Sequence, residues 1–289
     1  MENMENQNNQ INQGNQNYPK IKNAVLLCLM LIGVQVGIGL IIGIKQYLFK
    51  IPENSPIAYV FLILTSLISF GIVILIGFKN TKKGFNEVFK FNKVSPILWI
   101  TATIITVGLS VVVSEVDNLI QFFMPMPEWF LEILGTLMAD QPLVVSLIYI
   151  GLIAALSEEL FFRGLILDGF VNNYSKRKAI IISALLFGMI HLNPWQFAAG
   201  FIVGIVLAWI CIETKSILLC IYMHFLHNAG VVILYRLQDV IAIDGYTVQV
   251  PGGFQPVWFT LSGLLLLIVG IASFYYLEIK PKTADNQNG

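Results

Sequence analysis

The sequence predicts an all-α membrane protein, a polytopic bundle of about eight transmembrane helices that enclose an intramembrane polar cavity. Hydrophobic residues make up 56% of the 289 residues and charged residues only 12%, whereas soluble domains average about 25% charged residues. Apolar runs of about 20 residues recur along the chain, which is the length that a bilayer core of about 30 Å requires. Ionisable side chains lie inside some of these runs, where they are costly and usually mark a function or a buried partner.

Eight apolar segments account for the predicted spans. They lie at 24–44, 56–78, 96–117, 142–168, 179–193, 195–213, 216–235 and 257–277. The fifth segment is short, since about 15 residues extend only about 22 Å at 1.5 Å per residue. Asn193-Pro194 predicts a turn that starts the sixth span, with the proline at its first position. A helix that ends at membrane depth must be packed in protein or line a cavity.

We predict a single transmembrane domain at 21–280, between a cytoplasmic Asn/Gln-rich tail at 1–20 that is disordered and a short cytoplasmic tail at 281–289. The first 20 residues lack the basic region and the small-residue cleavage site of a signal peptide, so the first span is expected to remain as an anchor. The segment at 122–140 is expected to be an interfacial helix or a lid, and 236–256 an outer loop without its own core.

Basic residues predict the orientation in the membrane. They cluster after the second and fourth spans, at Lys79, Lys82, Lys83, Lys90 and Lys93 and at Lys176, Arg177 and Lys178. The positive-inside rule places both loops in the cytoplasm, although Lys45 and Lys50 on the predicted outer side oppose this arrangement. Eight crossings then place both termini in the cytoplasm, and we expect the plasma (inner) membrane to be the location.

Charge and cysteine content narrow the range of partners. The formal net charge is zero, so no basic field indicates binding to nucleic acid, and the lipid bilayer is the expected environment. Cys28, Cys211 and Cys220 all fall in apolar runs without the spacing of a disulfide scaffold or a zinc knuckle. We interpret them as ordinary core residues.

The fourth span is interrupted by the stretch Ser-Glu-Glu-Leu-Phe-Phe-Arg at 157–163. On a helix, Glu159 and Arg163 stand four residues apart on one face and can pair, whereas Glu158 is rotated by about 100° and has no local partner. A charge at this depth costs about 2.5–3.5 kcal/mol on insertion scales. Glu158 therefore indicates either a function or a partner on another helix.

The remaining polar residues of the late spans fall at a similar depth. His191, His224 and His227 are the chain's three histidines; Phe187 precedes His191 by four residues, and Asn228 follows His224 by four. From the predicted cytoplasmic ends, the helical rise puts the candidate residues about 15, 18, 12 and 18 Å deep, in the order Glu158, His191, His224 and Asn228. Three helices are thus predicted to bring polar side chains to one level.

Such a set suits the hydrolysis of a peptide bond, which needs a water, a base and donors for the oxyanion. Glu158 is the candidate base, His191 orients or deprotonates the water, and His224 and Asn228 donate to the oxyanion. Glu159 with Arg163 is expected to be a structural ion pair. Taken singly, each residue also has a structural interpretation: Glu158 as a hydrogen-bonded acid, the histidines as core residues, Phe187 as a packing wall and His227 as a structural residue.

Together, the motifs Glu158-Glu159-x-x-x-Arg163, Phe187-x-x-x-His191 and His224-x-x-x-Asn228 resemble the signature of the CPBP family. These are the CAAX-processing and bacteriocin-processing intramembrane endopeptidases, also called Abi or type II CAAX prenyl protease-like proteins. The resemblance covers about 142–235, the expected catalytic core, and implies an eight-helix bundle. It also implies Glu158 as the water-activating acid, His191 as its partner, and His224 with Asn228 in water activation or oxyanion stabilisation.

The resemblance leaves two mechanisms open. The family is commonly labelled metalloprotease, and Glu158, His191 and His224 would make a zinc set. The sequence lacks His-Glu-x-x-His, and a metal-free mechanism uses the same atoms. We expect either no cofactor or a single zinc ion, and favour the metal-free mechanism. The expected substrate is a membrane-anchored protein or a membrane-delivered peptide, prenylated or not; the alternative function is a transporter or a non-catalytic immunity or scaffold protein that binds a proton or a ligand.

Overall fold

The computed structural model describes residues 17–52, 55–248 and 253–280. Most of the predicted N-terminal tail and all of the tail at 281–289 lie outside the described residues, so the predicted disorder at the N-terminus stays a prediction. Across the described ranges every regular element is a helix and no strand is formed. The predicted all-α fold class is confirmed.

Helices α1 to α10 follow one another along the chain. They are α1 Ile21–Leu48, α2 Pro56–Thr81, α3 Phe85–Val88, α4 Pro96–Phe123, α5 Glu128–Gly135, α6 Leu143–Asn173, α7 Lys176–Met189, α8 Pro194–Thr214, α9 Ile217–Arg236 and α10 Val257–Ile279. A π-helical turn, Thr136–Asp140, extends α5, and another, Tyr275–Ile279, ends α10. Helix α6 contains two further π turns, which lie on either side of the Glu158-Glu159 pair.

Of the helices in the described chain, seven are long and apolar enough to cross a membrane: α1, α2, α4, α6, α8, α9 and α10. The predicted eighth span, 179–193, instead forms α7, which has 14 residues and extends about 21 Å. The predicted count of eight is therefore corrected to seven full-length spans and one short helix. Helix α7 stops early because Leu192 adopts a left-handed φ of 57°. Asn193 then caps α8 by accepting from Gln196 N at 2.8 Å.

One end of the bundle, which we call the basic end, gathers several helix termini. Asp168 near the end of α6 binds Lys83 Nζ at 2.7 Å and Lys90 Nζ at 2.6 Å. The first amide of α9 bonds to the Lys90 carbonyl at 2.9 Å, and the first amide of α1 bonds to the Tyr174 hydroxyl at 3.2 Å. The start of α1, the loop after α2, the end of α6 and the α8–α9 turn therefore lie together.

Helix α10 runs antiparallel to α4, so the described C-terminal end also reaches the basic end. Gly263 packs on Val111, and Gly270 packs on Ile105, so residue numbers rise along α10 where they fall along α4. Helix α7 starts near the basic end and α8 returns there, because the turn between them reaches the far end of α4, where Trp195 Nε1 donates to the Met124 carbonyl at 2.7 Å. Both described chain ends thus lie at one end of the bundle, as eight segments require.

Helix α6 is the centre of the bundle. Its residues Phe161, Phe162, Leu165 and Ile166 are fully buried, and they pack with α1, α2, α7 and α8 in one apolar cluster. A second cluster joins α4, α8, α9 and α10. Because α8 contributes to both clusters, the two halves of the bundle meet along α6 and α8, which is where the polar motifs lie.

The glycine pairs of the sequence behave differently from one another. A Cβ on Gly204 would lie 3.0 Å from Ala184, and one on Gly200 would lie 3.3 Å from Gly188, so α7 and α8 approach closely there. The pairs Gly33/Gly37 and Gly39/Gly43 on α1 meet nothing within 4 Å among the described residues. Of these three pairs, the one on α8 therefore makes a helix contact with another described part of the chain.

The two predicted outer segments lie at the end of the bundle opposite the basic end. Helix α5 forms within 122–140, and the Phe130 ring packs at a tilt against Trp195 with ring centroids 5.0 Å apart. The loop after α9 is tied to α4, since Asn118 donates to the Gly245 carbonyl at 2.7 Å. The prediction of a helix at 122–140 is confirmed, while its role as a lid or interfacial helix stays a prediction.

Candidate active site

Helix α6 presents the two glutamates from a short α-helical stretch, Ala154–Glu159, between the π turns Leu147–Ile153 and Leu160–Ile166. A π turn bonds residue i to i+5 and so accommodates about one extra residue. Such turns occur often at functional sites because they redirect the side chains that precede and follow them. The carboxylates therefore project from the one α-helical turn in this part of α6.

Glu159 and Arg163 form the predicted ion pair, with Arg163 Nη1 donating to Glu159 Oε1 at 2.8 Å. Both side chains are almost completely buried, at 0% and 1% exposed. Arg163 also donates to the Gly204 carbonyl at 3.3 Å, and its guanidinium lies 4.4 Å from the ring centroid of Phe187. The pair is thus compensated by a backbone acceptor and an aromatic face, as a buried charge requires.

His224 lies between the two glutamates. Its Nδ1 is 2.8 Å from Glu159 Oε1, and its Nε2 is 3.9 Å from Glu158 Oε2. Because the carboxylate of Glu159 accepts from Arg163 as well, Nδ1 of His224 carries the hydrogen and donates it. In the neutral imidazole, the lone pair on Nε2 then faces Glu158. The predicted proximity of Glu158 and His224 is present in the structure.

His191 is held by the backbone of its own helix. Its Nδ1 is 3.0 Å from the Phe187 carbonyl, which can only accept, so Nδ1 again carries the hydrogen and Nε2 is left with a lone pair. The rings of His191 and His224 both meet Phe187 edge to face, with centroids 5.5 and 5.7 Å from it. Within the described residues no hydrogen bond joins His191 to Glu158, and Phe187 is the common neighbour of His191 and His224.

Asn228 and His227 point to different helices. Asn228 Nδ2 donates to the Ile150 carbonyl in the first π turn of α6 at 2.9 Å, so one of its two amide hydrogens is engaged. His227 Nδ1 is 2.8 Å from Ser110 Oγ on α4. Ser110 donates its own hydrogen to the Thr106 carbonyl, so His227 is the donor. This contact joins α9 to α4 and fits the structural role predicted for His227.

Two features of the site were missed in the sequence. Glu159 was expected only to pair with Arg163, yet it also accepts the Nδ1 hydrogen of His224. Phe187 was interpreted as a packing wall, yet its ring contacts Arg163, His191 and His224 together. The signal for the first feature was present, because an acid beside an intramembrane arginine can accept from more than one donor.

A groove of about 280 Å³ lies at the α7–α8 turn beside His191. Its walls include Gly188, Leu192, Pro194 and Phe197, and they are mostly apolar. Glu158 and His224 do not line this groove. The predicted polar cavity around those two residues therefore stays a prediction.

The predicted zinc set of Glu158, His191 and His224 does not fit a metal ion in this arrangement. Among the described residues no three His, Cys, Asp or Glu side chains are grouped so that they could hold one. Cys28, Cys211 and Cys220 are free thiols.

The fold and the site define an integral membrane protein of helical-bundle architecture with a glutamate–histidine centre between its helices. Residues 140–230 match the model of the family described as type II CAAX prenyl endopeptidase, Rce1-like. The predicted resemblance to the CPBP/CAAX protease family is thus confirmed over the segment that carries the three motifs.

A curated protein with a similar sequence also has a CAAX prenyl protease name. CAAX prenyl protease 2 of Methanococcus maripaludis is 30% identical over 121 residues, which cover 35% of this chain and 45% of the relative. The chain therefore spans less than half the length of this relative. No solved structure matches the chain. The Abi, bacteriocin-processing and metalloprotease assignments stay predictions.

Proposed function

We propose that the protein is an intramembrane endopeptidase that hydrolyses a peptide bond in a membrane-associated protein or peptide. The observation that carries this proposal is the separation of 3.9 Å between Glu158 Oε2 and His224 Nε2, inside a bundle whose core matches a protease family. Glu158 is 15% exposed and His224 is 6% exposed, so the two groups face each other in a largely dehydrated interior. An acid and an imidazole at this depth are costly, so their presence usually marks a function.

Glu158 and His224 flank the position of the attacking water. Carboxylate Oε2 and imidazole Nε2 are both acceptors, so a water against them donates one hydrogen to each and directs a lone pair at the substrate carbonyl. As the water oxygen bonds to the carbonyl carbon, its proton moves to the Glu158 carboxylate. When the C–N bond breaks, the leaving amine takes that proton, and the products are a carboxylate terminus and an amine terminus.

Glu159 and Arg163 set the state of His224 in this mechanism. The buried carboxylate holds the hydrogen on Nδ1 and keeps Nε2 available as an acceptor, as a second carboxylate does in other histidine-based sites. Of the two roles expected for His224 from the sequence, water activation and oxyanion stabilisation, this mechanism uses the first. Asn228 keeps its predicted oxyanion-donor role through its second amide hydrogen, because only the first is used by Ile150.

The substrate class follows from the location of the site. A peptide must reach the interior of the bundle from the bilayer or from its surface, so a membrane-anchored protein or a membrane-delivered peptide is the proposed substrate. The relative's name specifies CAAX prenyl proteins as one such class. We propose that the substrate approaches from the cytoplasmic half of the bilayer, with the basic end in the cytoplasm.

The proposal is tested with purified protein in nanodiscs and a library of fluorogenic peptides, with and without a lipid anchor. Wild type is expected to cleave some of them, and Glu158→Ala to lose cleavage by about 10²–10⁴-fold, because a positioned base contributes that much. Glu128→Ala, which removes an exposed acid on α5, is the matched control and is expected to keep full activity.

Two results would contradict the proposal. Cleavage of no peptide by folded wild type would favour the transporter, scaffold or immunity alternative. Equal cleavage by wild type and Glu158→Ala would show that the activity arises elsewhere or from a contaminant.

A further inference from the structure

The ring of Phe187 on α7 is packed tightly between α6 and α8, and the residue is only 2% exposed. It meets the Phe162 ring of α6 edge to face, with ring centroids 5.1 Å apart. On the α8 side, a Cβ on Gly204 would lie 3.2 Å from Phe187 Cδ1, so the lack of a side chain there lets the ring fit against that helix. The ring therefore has little space in which to move.

The same ring contacts three polar side chains of the candidate site. The Arg163 guanidinium lies over it, 4.4 Å from the ring centroid. The imidazoles of His191 and His224 both meet it at interplanar angles of 89°, with centroids 5.5 and 5.7 Å away. Such contacts are directional, because the face of an aromatic ring is negative and its edge is positive. Phe187 therefore links the histidine of α7 to the histidine of α9.

Hydrogen bonds alone do not fix the two imidazoles. His224 is bonded through Nδ1 to Glu159, and His191 is bonded through Nδ1 to the Phe187 carbonyl. A ring that is held at one nitrogen can still tilt about that bond, and the tilt changes the direction of the lone pair on Nε2. A second contact on another part of the ring restricts the tilt, and the Phe187 ring supplies this contact to both imidazoles.

We infer that Phe187 is a positioning residue for the proposed peptide hydrolysis, because its aromatic ring sets the tilt of both imidazoles and so the direction of the lone pair on each Nε2. The side chain is apolar and takes part in no proton transfer, so it acts through His191 and His224. The inference rests on the proposed endopeptidase function.

The test measures peptide cleavage and thermal unfolding of Phe187→Leu in the full-length protein, with a peptide that wild type cleaves. The backbone carbonyl that binds His191 is retained, so the substitution removes only the ring contacts. We expect kcat to fall about 10²-fold, which a misplacement of about 1 Å can cost. KM is expected to stay unchanged, because the ring does not contact the substrate. Phe187→Met is measured in parallel as a second variant without the ring, since an unbranched side chain adapts to gaps in a core.

The matched control is Phe170→Leu, the same substitution at another buried aromatic position. Phe170 is fully buried on α6 in the same apolar cluster, but it packs edge to face against Tyr174 at the basic end. Phe170→Leu is expected to lower the Tm about as much as Phe187→Leu and to leave kcat unchanged. Phe187→Tyr keeps the aromatic ring, so we expect its kcat to stay well above that of Phe187→Leu.

Three results would overturn the role of Phe187 while leaving the endopeptidase function in place, provided that Glu158→Ala is inactive. The first is that Phe187→Leu and Phe187→Met lower kcat no more than Phe170→Leu does. The second is that Phe187→Tyr is as slow as Phe187→Leu, because the ring would then not be what matters. The third is a rise in KM alone, because the ring would then contact the substrate. If folded wild type cleaves nothing, the proposed function fails, and the role of Phe187 fails with it.

Discussion

The imidazole of His224 is the residue on which the proposed chemistry depends, and its two nitrogens have different neighbours. Nδ1 bonds to Glu159 at 2.8 Å, and Nε2 lies 3.9 Å from Glu158. Two adjacent glutamates therefore have different tasks, because one holds the ring and the other faces the reacting water. Glu159 also forms the ion pair with Arg163, so one carboxylate oxygen accepts from both the guanidinium and the imidazole.

Removal of the Glu159 charge is expected to affect both stability and activity. Glu159→Gln leaves the buried Arg163 without its counter-charge, which costs about 3–5 kcal/mol of unfolding free energy. The double variant Glu159→Gln/Arg163→Met removes both charges and is expected to regain most of that stability. Its kcat is still expected to stay about 10²–10⁴-fold below wild type, because no carboxylate sets the state of His224.

The measurements are thermal unfolding in detergent and peptide cleavage on the same preparations. A double variant that recovers both the Tm and kcat would show that Glu159 serves only to balance Arg163. A double variant that recovers the Tm alone supports the role of Glu159 in positioning His224.

Metal dependence gives a further prediction at the level of single residues. His191 Nδ1 is bound to the Phe187 carbonyl, and no group of three suitable ligands is found in the described chain. We expect peptide cleavage to survive exhaustive chelation, and elemental analysis of the active preparation to find no stoichiometric zinc. Loss of activity on chelation, restored by one zinc ion per chain, would contradict this expectation.

Residue spacing predicted some of these contacts and not others. The ion pair of Glu159 with Arg163 follows from a separation of four on a helix, and it is present. The proximity of Glu158 and His224 was predicted from depth along two helices, and it is present as well. The bond between Glu159 and His224 was not predicted, because the direction of an imidazole depends on the packing of neighbouring rings such as Phe187.

At the scale of elements, helix α6 differs most from its prediction. Its 31 residues form one continuous helix that contains two π turns. Almost every residue of its first half is apolar, so no alternation of polar and apolar positions reveals an inserted residue in the sequence. The short length of α7, in contrast, was visible from the distance between Lys178 and Pro194.

The anchoring of α6 at the basic end is expected to stabilise the element that carries the site. Asp168 is 5% exposed and binds both Lys83 and Lys90. We expect Asp168→Asn to lower the unfolding free energy by about 1.5–3 kcal/mol, the range for hydrogen bonds to charged groups. The measurement is thermal unfolding in detergent at matched protein concentration.

The matched control is the exposed pair of Lys176 and Glu213, whose lysine is 47% exposed. Lys176→Ala is expected to change the unfolding free energy by at most about 1 kcal/mol, because water screens exposed pairs. Equal effects of the two substitutions would contradict the view that Asp168 anchors α6.

At the scale of the whole molecule, the fold class was predictable because hydrophobic length is a strong signal in a bilayer. The number of full-length spans is seven rather than eight, because α7 is apolar like its neighbours but, as its length in the sequence indicated, too short to cross the bilayer. The helix count nevertheless leaves the topology intact: Trp195, just after the α7–α8 turn, bonds to Met124 at the end of α4, so α7 and α8 together make one excursion from the basic end and back.

This topology leads to a prediction about orientation. The described chain ends lie at the basic end of the bundle, with the lysines of the loop after α2. Five lysines there, Lys79 to Lys93, oppose two at the other end, Lys45 and Lys50. Lysines near an anionic inner leaflet contribute about 1 kcal/mol each, so the balance favours a cytoplasmic basic end.

We therefore expect reporters fused to the N-terminus and to the C-terminus of the full chain to lie in the cytoplasm. A reporter fused after residue 248, in the loop at the opposite end, is the internal control and is expected outside. The measurement is fluorescence of a reporter that folds only in the cytoplasm, paired with an enzyme that is active only outside. A C-terminal reporter found outside would mean that α7 and α8 do not make a full excursion, and the proposed approach of substrate from the cytoplasmic half would lose its structural basis.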